Sequence, residues 1–279
     1  LAERRPACLW ATVAGPGYES CDQDERRLTL PSYGTAALRR RILEVASVAG
    51  EGHVASAFSI LDILWTLRHR IMQWRLDTDD YDRLILSKGH GVLALYAILE
   101  EQGILPSMQG LCGHPELGTP GIEASAGSLG HGLPIAVGMA YSMMLKGSSS
   151  QVFCVVGDTE MEEGSCWEAV HMAARLGLGN LMVIIDQNGN SPNRINGEYR
   201  PTNLAAKFLA FGWNVGNVDG HDLADLETML IPLHAKQPHA VIAYTEKGCG
   251  VRRMMDDPQA WHRRAPTPAE LPEMLAELR

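Results

Sequence analysis

The fold is decided by two short apolar runs, QVFCVV at residues 151–156 and LMVII at residues 181–185. Each run is typical of a strand that is buried on both faces. Between them, side chains at the i, i+3, i+4 and i+7 spacing predict one face of a helix: Trp167, Val170, His171 and Ala174. The three elements form a βαβ unit, in which the strands run parallel and their C-terminal ends lie side by side.

Polar residues directly follow both runs. Asp158 stands in Gly157-Asp158-Thr159 after the first run, and Asn188 follows the second. A carboxylate and an amide oxygen beside a helix N-terminus suit a hard divalent cation that also holds a diphosphate. Gly-Asp and Asn-Gly are also common turn sequences, so either motif alone is weak evidence. Because the pair is spaced across one βαβ unit, we favour the binding interpretation.

The rest of the chain alternates helical and strand patterns. Helices are predicted at 35–49, 56–72, 92–101, 133–145 and about 223–235, and strands at 83–86, about 213–218 and 240–244. This alternation predicts an α/β fold, a doubly wound parallel sheet with helices on both faces. Residues 1–30 are interpreted as an N-terminal arm and residues 31–279 as one domain.

Composition argues against several classes of function. The chain has 279 residues, 46% of them hydrophobic, and a net charge of −9. Its basic residues form only short clusters, so a nucleic-acid surface is not expected. No apolar run approaches the roughly 20 residues that span a bilayer, and no secretory signal is visible. The cysteines are scattered without a Cys-x-x-Cys pair, which predicts reduced thiols in a cytoplasmic protein: Cys8, Cys21, Cys112, Cys154, Cys166 and Cys249.

Four histidines occupy predicted loops: His53, His90, His114 and His262. Each alone is most simply an ordinary surface histidine. Together, beside glycine or tryptophan, they predict donors to phosphate and sugar oxygens and proton shuttles near neutral pH. The glycine-rich stretch at 126–132 lets backbone approach a ligand closely, although a simple loop is the default interpretation.

Glu163 falls four positions before Trp167 and is therefore predicted on the buried face of the helix. A desolvated carboxylate there would have a raised pKa and could share a proton. The alternative is favourable helix-dipole chemistry, which also accounts for Glu160 and Glu162.

Taken together, these motifs resemble the N-terminal, diphosphate-binding half of transketolase, in particular the small subunit of the split two-chain form. The resemblance runs from about residue 35 to residue 270. It is carried by six segments in the same order: LSKGHG at 86–91, GHPE at 113–116, GSLGHG at 127–132, the unit from Gly157 to Asn188, TEKGCG at 245–250, and WH at 261–262.

The resemblance implies thiamine diphosphate as cofactor, bound by the 31–279 domain. The implied ligands of Mg²⁺ or Ca²⁺ are Asp158, Asn188 and the backbone carbonyl of Asn190. The implied cofactor contacts come from rings, loops and the Gly-Asp turn: His90, Gly127, Leu129, Gly157, Asp158, Thr159, Asn188 and His262.

The resemblance also implies the surroundings of a ketose substrate, formed by His53, His90, His114 and His262. Glu163 and Glu168 match acids that the family places at the interface between subunits, near a proton-relay path.

Three departures from the family pattern affect the expected site. The usual Gly-Asp-Gly is Gly157-Asp158-Thr159, which brings a β-branched side chain near the phosphate. The usual Gly-His-Pro-Gly-Gly is GHVAS at 52–56, and the stretch GNSPN at 189–193 is more polar than usual. The donor or acceptor is therefore not necessarily an ordinary sugar phosphate.

The resemblance implies an enzyme subunit that transfers a two-carbon ketol unit between ketose and aldehyde substrates. The glutamate that activates the cofactor lies in a second domain of the family, so a pyrimidine-binding partner subunit is expected, in a heterodimer or heterotetramer. Two alternatives stay open: an acyloin-forming or two-carbon-loading enzyme with the same cofactor, and a degenerate, non-catalytic binding subunit.

Overall fold

The parallel sheet is the centre of the molecule. The computed structural model describes residues 34–74, 80–111, 113–189, 202–233 and 236–278. Within these ranges the strands are β1 Arg83–Leu86, β2 Val152–Gly157, β3 Leu181–Gln187, β4 Asn214–Asp219 and β5 His239–Tyr244. All neighbouring strands pair in parallel, in the order β1-β2-β3-β5-β4. Their carboxyl ends therefore meet at one edge of the sheet.

Helices connect and cover the strands. The longer ones are α1 Thr35–Ala49, α2 Val54–Thr66, α3 Val92–Glu101, α4 Gly132–Leu145 and α5 Gly164–Leu176. The shorter ones are α6 Leu204–Ala210, α7 Leu223–Met229, α8 Arg252–Asp256 and α9 Leu271–Glu277. A π-helical turn at Leu67–Ile71 extends α2, and 3₁₀ turns lie at Gly89–Gly91 and Glu160–Glu162.

The helices form two layers, one on each face of the sheet. Side chains alternate along each strand, so Phe153 and Val155 pack against α1, α2 and α3. Cys154 and Val156, between and after them, pack against α4, α5 and α6. This arrangement confirms the predicted doubly wound α/β fold.

Most predicted elements have nearly the observed bounds, and the differences have local causes. The helix predicted at 223–235 ends at Met229, because Pro232 disfavours helical backbone at the residue before it. Helices α6, α8 and α9 were not predicted, since runs of five to seven residues carry little periodicity. The predicted arm at 1–30 lies outside the described residues.

The predicted buried face of α5 is confirmed in part: Val170 is buried, and Trp167 and Ala174 are half-buried against the same core. The buried residues are Cys166, Ala169, Val170 and Ala173, whereas His171 is exposed. Glu163 is exposed just before the helix, which corrects its predicted burial. The 3₁₀ turn before α5 shifts the helical phase, and the acid that it buries is Glu160.

In the described part of the chain, no helix is both long and apolar enough to cross a membrane. The described cysteines Cys154, Cys166 and Cys249 are free thiols. Cys8, Cys21 and Cys112 lie outside the described residues.

Candidate active site at the carboxyl edge of the sheet

The two candidate cation ligands follow neighbouring strands, as the sequence predicts. Asp158 directly follows β2, and Asn188 directly follows β3. Asp158 is buried, and its two carboxylate oxygens accept the backbone N–H groups of Thr159 at 2.8 Å and Gly189 at 3.1 Å. Burial and the nearby Asp186 raise the pKa of Asp158. An anion in such surroundings is stabilised by a bound cation. Asn190 lies outside the described residues.

The structure brings all four predicted histidines together. The ring of His53 lies 5.3 Å from that of His90, 5.1 Å from that of His262 and 6.3 Å from that of His114. His90 and His262 are 5.9 Å apart. His53 precedes α2 with a φ of 61°, in the left-handed region that side chains other than glycine seldom adopt. The backbone therefore turns sharply at His53, which directs its ring into the cluster.

Three rings of this cluster have lowered pKa values, which favours their neutral form. Burial and, as a smaller effect, the positive charge of Lys88 lower the pKa of His90 to about 2. Burial and Lys247 lower the pKa of His262 to about 4. Burial and His114 lower the pKa of His53. A neutral ring offers one donor and one acceptor nitrogen.

Two lysines that were not among the predicted site residues complete the site, although both lie in segments that carry the resemblance. The ammonium group of Lys247 donates to Nδ1 of His262 at 2.8 Å, which leaves the proton of that ring on Nε2. Burial and Lys88 lower the pKa of Lys247 to about 8. Lys88, which follows β1 in the sequence and precedes His90, is buried and forms an ion pair with Asp186. The available signal was positional, because both lysines stand two or three residues past the end of a parallel strand.

The glycine-rich loop approaches the cluster closely. A Cβ atom on Gly127 would lie 3.1 Å from the ring of His114, and one on Gly89 would lie 2.9 Å from the carbonyl oxygen of Ala126. Side chains at these positions would therefore close the space beside the histidines. Leu129, on the same loop, is exposed.

Gly130 is held from both sides. It has a φ of 78°, its N–H donates to Glu160 Oε1 at 3.0 Å, and its carbonyl accepts Ser165 Oγ at 2.8 Å. Glu160 also accepts the hydroxyl of Ser87 at 2.5 Å, and burial raises the pKa of its carboxyl. The buried acid thus fixes the loop that carries Gly127 and Leu129. The role of Glu160 was not predicted, because the sequence does not show where the helical periodicity of α5 begins.

Glu163 and Glu168 lie outside the histidine cluster, although Glu163 packs beside Gly130 of the glycine-rich loop. Both are exposed at the start of α5, and neither takes part in the ring contacts of the histidine cluster. They belong to the outer surface that α4 and α5 share.

Two buried polar atoms near the cluster have no hydrogen-bond partner among the described residues, Nδ1 of His53 and Oγ of Ser56. Such atoms are costly unless a ligand or water satisfies them. Together with the oxygen ligands, Lys247 and the glycine loop, they fit a polyanionic cofactor held through a hard cation.

A doubly wound sheet with this edge defines a diphosphate-binding α/β domain. The family model "Transketolase, thiamine diphosphate binding domain" matches residues 35–261. The chain belongs to the transketolase family, as its thiamine diphosphate-binding domain.

Relatives and solved structures agree with this assignment. The chain is 36% identical over 260 residues to an apulose-4-phosphate transketolase subunit from Actinobacillus succinogenes, a match that covers 87% of this chain and 94% of the relative. It is 33% identical to the protein of the same name from Phocaeicola vulgatus, with 86% of this chain and 90% of the relative covered. The transketolase structure from Campylobacter jejuni superposes with a TM-score of 0.74 at 26% identity, covering 87% of this chain and 42% of that one. The chain thus spans less than half the length of that transketolase.

Proposed function

We propose that this chain is the cofactor-binding subunit of a transketolase that transfers a two-carbon ketol unit from a ketose to an aldehyde. The observation that carries the proposal is the convergence of Asp158 and Asn188 with four histidines at one edge of the sheet. Oxygen ligands alone would suit many sites. The histidine cluster supplies ring nitrogens that can donate to the hydroxyl and carbonyl groups of a sugar.

The residues present would hold thiamine diphosphate and a divalent cation. Asp158 and Asn188 would supply oxygen ligands to Mg²⁺ or Ca²⁺, with Asn190 as the third proposed ligand. Lys247 and His262 would face the diphosphate, and Gly127 and Leu129 would lie along the thiamine rings. When bound, the cofactor supplies the carbanion chemistry that breaks and forms the carbon–carbon bond.

The side chains of this chain orient and donate. Because His262 accepts from Lys247 at Nδ1, its Nε2–H is free to donate to an oxygen of the cofactor or the substrate. The pKa of His90 is lowered to about 2, so its ring donates without carrying a charge into the site. His53 and His114 flank the same space from other loops and would orient the ketose.

A pyrimidine-binding partner subunit is part of this proposal. It is supported by an apolar surface on α4, where Ile135, Tyr141, Met144 and Leu145 are exposed. Glu163 directly precedes the adjoining helix α5, Glu168 lies on it, and both would meet the partner as an interface proton path. A heterodimer or heterotetramer in the cytoplasm would satisfy this arrangement.

We propose a phosphorylated ketose as donor. The two relatives above are named for apulose 4-phosphate, and Thr159 leaves a different space beside the cofactor than glycine would. The test measures product formation by this chain with its pyrimidine-binding partner, Mg²⁺ and thiamine diphosphate. The donors are ketose phosphates, including apulose 4-phosphate, and 2-oxo acids such as pyruvate. Turnover of ketose phosphates is expected, and turnover of 2-oxo acids alone would exclude a ketol transferase.

The cation ligand is tested by Asp158→Ala in the two-chain assembly. Removing a direct ligand is expected to weaken thiamine diphosphate binding by more than about 100-fold, since even supporting residues around a metal cost 10- to 100-fold. Calorimetric titration measures the affinity, and the melting temperature checks the fold. Asp256→Ala, at an exposed position of α8, is the matched control. Equal cofactor affinity in all three proteins would refute the metal assignment.

A further inference from the structure

A buried ion pair lies beneath the proposed cation site. Asp186, the penultimate residue of β3, is completely buried, and Lys88 is 3% exposed. The Lys88 ammonium group contacts Asp186 Oδ2 and donates to Ser59 Oγ at 2.8 Å and to the carbonyl of Ser56 at 3.3 Å. An ion pair this deep is weak evidence for stability, because well-packed apolar residues often serve equally well. Its location therefore suggests a role in the site.

Donors surround Asp186 on both oxygens. Oδ2 accepts from Lys88, from Ser59 Oγ at 3.0 Å and from the side-chain amide of Asn188 at 2.8 Å. Oδ1 accepts the hydroxyl of Thr245. With these contacts in place, Asp186 has little capacity left for a metal ion. Asp158, which accepts two backbone N–H groups, is the carboxylate that we assign to the cation.

The contact to Asn188 fixes the direction of its amide. An asparagine side chain has one oxygen and one nitrogen on opposite sides, so a committed N–H₂ group determines where the oxygen points. With Nδ2 held by Asp186, Oδ1 points away from Asp186. On the other side of this turn, the N–H of Gly189 binds Asp158.

We propose that Asp186, held by Lys88, is a positioning residue that orients the amide oxygen of Asn188 toward the cation bound by Asp158. This inference rests on the proposed function, because it presumes the cation site. The same carboxylate reaches two further site loops. Thr245 stands two residues before Lys247, and Lys88 stands two residues before His90. One buried carboxylate thus ties together the ends of β1, β3 and β5.

The test compares the pair in two backgrounds. Lys88→Met with Asp186→Leu removes both charges and keeps the volume filled. Mn²⁺ affinity is measured in the presence of thiamine diphosphate, in the two-chain assembly, by the electron paramagnetic resonance of free Mn²⁺. In the natural background the affinity is expected to fall 10- to 100-fold, the usual cost of losing a supporting contact to a metal ligand.

The second background is Asn188→Asp. A carboxylate presents an oxygen in either orientation and needs no orienting partner, so the Lys88/Asp186 replacement is expected to change the affinity less than threefold there. An equal loss in both backgrounds would mean that the pair serves only the fold, and it would overturn the inference. If the first pair fails to fold, Lys88→Met with Asp186→Ser replaces it, because serine is too short to reach Asn188; the expected losses are the same.

Asp158→Ala in the same assay separates this inference from the proposed function. If Asp158→Ala binds Mn²⁺ as well as the natural protein, the cation site itself is wrong. If Asp158→Ala abolishes binding while the Lys88/Asp186 replacement has no effect, the cation site stands and only the positioning role fails.

Discussion

Helices α2 and α4 look alike in sequence and differ in their surroundings. Both are apolar on all sides; α2 has one charged residue, Asp62, and α4 has none. Twelve of the 13 residues of α2 are buried, whereas only Gly132, Leu133, Ala136, Val137 and Ala140 are buried among the 14 of α4. A helix without a polar face is stable in water only when it is covered on every side. Neighbouring helices cover α2, and the described residues leave α4 half open.

Apolar side chains are exposed on both α4 and the neighbouring helix α5. Leu145 is 67% exposed and Met172 of α5 is 47% exposed. Exposed apolar patches are typical of protein contacts. We therefore expect the proposed partner on the α4–α5 side of the sheet.

The largest expected effect contrasts one isoleucine from each helix. Ile60 of α2 is fully buried, and Ile135 of α4 is 37% exposed. Ile60→Ala is expected to lower the free energy of unfolding by about 2–5 kcal/mol, because it removes packed methyl groups and leaves a cavity. Ile135→Ala is expected to cost less than about 1 kcal/mol in the chain without its partner. Urea unfolding measures both, and equal losses would contradict the contrast between the two helices.

Only part of this contrast could be predicted from the sequence. Interactions between residues close in the chain could be predicted, and contacts between distant residues could not. Local patterns set α1, β1 and α3 at their observed bounds, helped by signals such as Gly50, which ends α1 with a φ of 70°. The parallel βαβ rule placed Asp158 and Asn188 side by side. The exposed side of α4 could not be predicted. Apolar composition indicates that a helix must be covered, but it does not indicate which part of the protein or of a partner covers it.

Contacts between loops that are distant in the chain could not be predicted from local sequence patterns. Lys247 meets His262 through the path of a loop, and Asp186 meets Lys88 across 98 positions of the chain. The sequence predicted Glu163 as the buried acid, but Glu160 is buried instead, because a 3₁₀ turn before α5 changes the helical phase. The chemistry of the site could therefore be located from the sequence, while the groups that support it required the fold.

A smaller effect is expected when the open face of α4 receives charge. Ile135→Asp and Tyr141→Asp should each weaken binding of the pyrimidine-binding partner by about 30-fold or more, roughly 2 kcal/mol, since an interface would bury an unpaired carboxylate. Sedimentation of the mixed chains measures this. Val48→Asp, at an 86% exposed position of α1, controls for added charge. If all three variants bind the partner equally, α4 is not the interface.

The smallest expected effect concerns acid stability in the covered layer. His239 starts β5 on the side of α1–α3, is buried, and has Nε2 3.1 Å from the carbonyl oxygen of Leu233. Burial lowers its pKa to about 4. Above pH 6.5 the ring is neutral in both the native and the unfolded chain. Between pH 6.5 and 4 the unfolded chain binds a proton that the native chain refuses, so stability falls on acidification.

From pH 6.5 to pH 5 this difference amounts to about 2 kcal/mol, at about 1.4 kcal/mol for each pH unit. Urea unfolding at pH 7.5 and pH 5 measures it, and His239→Gln should lose about 2 kcal/mol less than the natural protein over that interval. The absolute loss is larger, because the pKa values of His90 and His262 are also lowered in the native chain. His171→Gln, at an exposed position on the open layer, is the matched control for the substitution itself. If His239→Gln loses as much stability as the natural protein, then His239 is protonated in the native state at pH 5 and its burial does not lower its pKa. The contrast between the two sides of the sheet would then depend on α2 and α4 alone.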